Sequence, residues 1–160
     1  MTSTSLMLER GHVEVARAPV ADAFATTTGS SDVINMKDHN RVRFIYHWGV
    51  GTTGTVTFTV EACDDTTPSN VSAIPFWYRV TPAAGTPGTI TRATSAGFTS
   101  TAGSNQIVEI EAIAADLLAS GYSYIRVKAT EVVDDPILGG GIVELLEPRH
   151  AGQTHTSAVT

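Results

Sequence analysis

Cysteine is nearly absent from this chain. Cys63 stands alone, so no internal disulfide can staple the fold and stability has to come from packing. Charge is also scarce: Asp, Glu, Lys and Arg make up 16% of the 160 residues, against roughly a quarter in ordinary soluble domains. Thr, Ser, Ala and Gly take their place, which predicts a neutral, hydroxyl-rich surface. The ten basic residues are scattered, and the formal net charge is -6 with a pI near 5.2. A nucleic acid partner is therefore not expected, because phosphate-backbone affinity depends on clustered Lys and Arg. No apolar run reaches eighteen residues, so no helix that spans a bilayer is expected and a membrane is not an expected partner. The opening Met1-Thr2-Ser3-Thr4-Ser5 lacks a basic segment followed by an apolar one, so synthesis in the cytoplasm is expected.

Catalytic machinery is missing as well. Ser, His and Asp all occur, but no Gly-x-Ser-x-Gly elbow presents a nucleophile. His12, His39, His47, His150 and His155 show no pair at metal-ligand spacing on a shared strand face and read as solvated or edge residues. Glu61, Asp64 and Asp65 at one strand end, with Asp134 and Asp135 in a loop, could hold a calcium ion only if those loops were neighbours. Without that convergence they face water. The expectation is a protein with no enzymatic activity, no metal and no cofactor.

What the sequence does contain is alternation. Val42, Phe44, Tyr46 and Trp48 share one parity while Arg41, Arg43, Ile45 and His47 take the other. After the glycine-rich turn 49–54, Val56, Phe58, Val60 and Ala62 alternate with Thr55, Thr57, Thr59 and Glu61. Side chains leave a strand on opposite faces in turn, so both runs read as half-buried strands, and the turn between them predicts an antiparallel hairpin. Cys63 falls on the Thr57 and Glu61 parity and reads as a small, partly buried residue. The same pattern recurs over 72–80, with Ile74, Phe76, Tyr78 and Val80 opposite Trp77 and Arg79, and Pro75 marks an edge or a strand start. It recurs again over 106–113 and 122–132, and 140–146 closes the series. Segments 89–94 and 97–101 are weak, Thr-rich strands.

Helix formers gather only at 114–121, where Gly121 supplies a stop after one or two turns and Asp116 reads as the cap. Gly139-Gly140-Gly141 reads as a tight bend before the last strand. Strands at roughly ten-residue spacing with turn signals between them define an all-β fold, an antiparallel β-sandwich of immunoglobulin-like or jelly-roll-like type. Residues 31–149 form that sandwich, 1–30 an extended N-terminal arm, and 150–160 a short C-terminal tail. Pro19 keeps the arm from being helical.

Among the aromatic residues, Trp48 shares the parity of Phe44 and Tyr46 and is expected in the core, whereas Trp77 is the better exposed contact. If Trp77 and Tyr124 shared an open face they would form a platform for sugars, so a carbohydrate-binding or host-adhesion module is the alternative reading. In the arm, Val13 and Val15, flanked by His12 and Glu14, have the alternation needed to add a strand to a partner's sheet edge. His12, Val13, Glu14, Val15 and Trp77 are thus the candidate partner-binding residues.

Several runs carry a family likeness. Val33-Ile34-Asn35-Met36-Lys37, Val60-Glu61-Ala62-Cys63-Asp64-Asp65, Ile74-Pro75-Phe76-Trp77-Tyr78-Arg79-Val80, Tyr124-Ile125-Arg126-Val127-Lys128 and Glu147-Pro148-Arg149-His150-Ala151-Gly152 resemble tailed-bacteriophage structural proteins. The chain from about 30 to 152 is similar to head decoration, or cement, proteins. That resemblance implies a virion protein on the outer capsid surface that binds the major capsid protein and stabilises its contacts. Self-association, as a homotrimer, goes with that expectation; a tail or head-completion role is the other virion alternative. The likeness is structural and transfers no contact residues.

Overall fold

A computed structural model describes residues 11–25 and 29–150. In chain order the elements are β1 (Gly11–Val20), β2 (Ile34–Asn35), β3 (His39–Trp48), β4 (Thr55–Cys63), β5 (Val71–Ile74), β6 (Phe76–Thr81), β7 (Thr91–Ala93), β8 (Phe98–Thr99), β9 (Ile107–Ile113), α1 (Ala114–Leu118), β10 (Tyr124–Val133) and β11 (Gly139–Pro148). They form two antiparallel sheets, one in the order β1-β11-β3-β9-β6-β7 and the other β2-β10-β4-β5, with β8 also paired to β4. The fold is an all-β sandwich, as the alternation requires. Its core is the inward parity of each strand: Val42, Phe44, Tyr46 and Trp48 of β3, Val108 and Ile110 of β9, and Val143 and Leu145 of β11 on one side. Val56, Phe58 and Val60 of β4 and Ile125 and Val127 of β10 meet them from the other.

The expected hairpin between β3 and β4 is not formed. β3 pairs with β11 and β9, and β4 with β10, β5 and β8, so the turn at 49–54 carries the chain from one sheet to the other. The two strands face each other across the core, with the Phe58 ring centroid 5.4 Å from that of Tyr46 and 6.2 Å from that of Trp48. A period of two fixes which face is apolar but not whether the neighbouring run lies beside it or opposite it. Asp135 holds this crossing. Its Oδ2 accepts the backbone N–H groups of Thr52 (2.7 Å), Thr53 (2.8 Å) and Gly54 (3.2 Å), which holds its carboxyl down at about 2. Pro75 makes a second crossing: β5 is an edge strand of one sheet and β6 belongs to the other.

The described part of the expected arm belongs to the sandwich. β1 pairs along its length with β11, from Gly11 opposite Leu146 to Val20 opposite Gly139, and Ala23 and Phe24 are buried in the core. The segment Gly29–Asp32 then joins the two sheets. Ser31 N–H donates to Val127 O on one side and Asp32 N–H to Ala16 O on the other. Residues 1–10 and 26–28 of the arm and 151–160 of the tail lie outside the described residues.

Three local features also differ from expectation. Gly139, Gly140 and Gly141 lie inside β11 and make no bend; a Cβ at Gly139 would stand 2.9 Å from the Trp48 Cβ, and one at Gly141 2.9 Å from the Tyr46 ring. Gly139 and Gly141 make room for Trp48 Cβ and the Tyr46 ring on β3, and Gly140 for the backbone of Arg17 and Pro19 on β1. Helix α1 has Ile113 at its N-cap with no side-chain cap, so Asp116 is not the cap; it sits in the first turn, 3.7 Å from Arg92. Gly121, at φ 75°, terminates the segment as expected. His39, expected to be solvated or at an edge, is buried at 3% exposure.

Candidate functional site

The outer face of the six-stranded sheet collects most of the candidate residues. Cross-strand register places Val13, Glu144, Arg43, Glu111, Trp77 and Arg92 in a single row running from β1 to β7. The next row holds Val15, Ile142, Ile45, Glu109 and Arg79. Val13 and Trp77 therefore share a face, but four strand spacings of about 4.8 Å put them roughly 19 Å apart. They are two ends of one surface rather than one contact.

At the β1 end, Val13 and Val15 are each 54% exposed, and Ile142 beside Val15 is 41% exposed. His12 and Glu14 point to the other side of the sheet, where their side chains pair with each other. The far edge of β1 carries no paired strand among the described residues. Its second half is guarded: register shifts flank Arg17, Asp32 N–H occupies Ala16 O at 2.7 Å, and Pro19 lacks a donor. Its first half, Gly11–Val15, is regular and holds no proline or lysine, and its one carboxylate, Glu14, points inward and pairs with His12.

Between the two ends runs an ion-pair lattice. Arg43 donates to Glu144 (2.6 Å) and Glu109 (3.3 Å), Arg79 donates to Glu109 through Nε (2.6 Å) and Nη2, and Arg41 bridges Glu111 and Glu147. Each exposed pair is worth at most about 1 kcal/mol, so the lattice matters more for keeping this face polar than for holding the fold. The part of this lattice nearest β6 borders a cleft of about 380 Å³ lined by Arg43, Trp77, Tyr78, Arg79, Ile90, Glu109 and Glu111. Trp77 is 38% exposed, and the Arg92 guanidinium stands 5.3 Å from its ring centroid.

Tyr124 is not part of this surface. It lies on β10 opposite Cys63 and Asn35, in the other sheet, so the two-ring platform of Trp77 and Tyr124 is not formed. The two acidic loops do not meet either. Asp64 follows the Cys63 end of β4, and Asp135 follows the Val133 end of β10, opposite Thr55. Eight residue rises of about 3.3 Å separate them by roughly 26 Å. Asp64 accepts N–H groups from Ser69 and Asn70 and is held at about 2, while Glu61 accepts from Arg126 at 2.7 Å. No group of three His, Cys, Asp or Glu side chains able to hold a metal occurs among the described residues. Cys63 is fully buried and its thiol is pushed up to about 11, chiefly by burial. No helix among the described residues is long and apolar enough to cross a membrane.

The class of protein defined here is a two-sheet sandwich whose β1 edge pairs with no further strand among the described residues and whose outer face carries a cleft beside Trp77 at its other end. No family model and no curated protein matches the chain. Among solved structures, the SPBc2 prophage-derived protein YomS is similar, with a TM-score of 0.40 and 12% identity over 89% of this chain and 99% of that one. A likeness that distant carries no argument about function.

Proposed function

We propose that this protein is a non-enzymatic virion component of a tailed bacteriophage that binds the outside of the capsid and stabilises contacts between major capsid protein subunits, working as a homotrimer. The carrying observation is the row of exposed Val13, Val15 and Ile142 along the regular stretch Gly11–Val15, whose far side pairs with no strand among the described residues. The sequence likeness to decoration proteins points the same way. The direction of strand exchange is the reverse of that expected for a free arm. One side of β1 is already taken by β11, so the opposite side accepts a strand from the capsid subunit, with backbone hydrogen bonds supplying affinity and the valines supplying register. Binding only the assembled shell stabilises it by mass action, by about 2.7 kcal/mol per site at a hundredfold excess over Kd.

The test is a capsid challenge with the double variant Val13→Lys, Val15→Lys. Both side chains are exposed, so folding is unaffected, while two desolvated charges at the contact remove binding. Shells mixed with the variant are expected to break at the same temperature and salt as undecorated shells. Protection equal to that given by the unaltered protein would overturn the assignment of the edge.

A further inference from the structure

We infer that the cleft beside Trp77 is a binding site for a neutral oligosaccharide, separate from the capsid-binding edge. Its volume, about 380 Å³, lies within the roughly 300–1,000 Å³ range of small-molecule sites. Its floor comes from three adjacent strands: Arg43 of β3, Glu109 and Glu111 of β9, and Trp77 and Arg79 of β6. Ile90, 63% exposed just before β7, provides an apolar wall.

The chemistry of these groups selects the ligand. Two arginines and two glutamates line the cleft, so its formal charge is zero, and Glu109 is shared by both guanidiniums. Neither a phosphate nor a cation gains from entering it. A purely apolar molecule would cover carboxylates and guanidiniums without replacing their water, at a cost in desolvation. A pyranose fits both halves of the surface. Its C–H face lies on the exposed indole, and each hydroxyl both donates and accepts, matching a carboxylate beside a guanidinium. Arg79, which lines the cleft, spends two of its five N–H donors on Glu109, which leaves three for a ligand. The Trp77 ring is also held in position, because Arg92 packs over it and is itself tethered 3.7 Å from Asp116.

The test is titration of the purified full-length chain with chitotriose, maltotriose, cellotriose and mannotriose, followed by calorimetry and by tryptophan fluorescence. At least one trisaccharide is expected to bind saturably with Kd below about 10 mM, and Trp77→Ala to weaken it by about tenfold or more. Ile90→Asp, at an exposed position that cannot unfold the domain, is expected to do the same. Val13→Lys, at the far end of the row, leaves it unchanged, so failure here is distinct from failure of the capsid edge. Absence of saturable binding for all four sugars, or equal affinity in Trp77→Ala and Ile90→Asp, would overturn the inference.

Discussion

Phe58 ties the two sheets together, and its removal is the perturbation whose size the structure fixes best. The side chain is fully buried on β4, and its ring lies 5.4 Å from Tyr46 and 6.2 Å from Trp48, both on the opposite sheet. Phe98 stacks on it at 5.5 Å and Phe24 meets it edge-on at 6.3 Å. Phe58→Ala therefore empties a site walled by four rings from three separate segments, which cannot collapse together. Phe to Ala changes in cores cost about 3–5 kcal/mol, and the rigid surroundings place this one near the middle, at about 4 kcal/mol. For a chain of this length each kcal/mol lowers Tm by about 2–4 °C, so the expected fall is about 8–16 °C. Urea unfolding followed by fluorescence measures it, with Val71→Ala, 43% exposed on edge strand β5, as a control expected to change stability by less than about 1 kcal/mol. A loss in Phe58→Ala no larger than in the control would refute the cross-core cluster.

The remaining expectations concern other parts of the same frame. Gly141→Val places a branched side chain against the Tyr46 ring, 2.9 Å from where its Cβ would stand, and is expected to cost about 1–3 kcal/mol by denaturant unfolding. Asp135 sits at about 2 in the fold against its ordinary 3.8. Its contribution is therefore present above about pH 4 and lost as pH falls through about 2. Asp135→Asn is expected to flatten the acid limb of the Tm profile over that window, and an unchanged slope would contradict the clamp. Cys63, fully buried with its thiol pushed up to about 11, is expected to resist thiol reagents at pH 8 until the chain is unfolded, and rapid labelling of the native protein would contradict its burial.

The inward faces were legible because side-chain parity is a local property. Val42 through Trp48, Val56 through Ala62 and Ile125 through Ala129 are buried as their alternation predicts. Strand neighbours were not legible, since pairing joins residues far apart in the chain: β1 meets β11, about 130 positions later, and nothing in His12–Val15 names that partner. The same limit hid the crossing between β3 and β4. It also hid the purpose of Gly139-Gly140-Gly141, which depends on Tyr46 and Trp48 of β3 lying on one side and Arg17 and Pro19 of β1 on the other. At the candidate site, exposure of Trp77 followed from parity, but that of Val13 and Val15 did not, since the apolar parity of β1 faces outward and His12 and Glu14 take the other side. The cleft did not, although Arg43, Arg79, Glu109 and Glu111 all stand opposite apolar neighbours in their own strands. Only the order β3-β9-β6 brings them together.

The decoration reading requires a tailed phage as the source, and it is tested most directly by counting copies of this chain per particle in purified virions of that phage, by densitometry against the major capsid protein. A protein that docks its β1 edge on every equivalent capsid position is predicted to appear in a simple whole-number ratio to that subunit. A handful of copies per virion, or none, would contradict it.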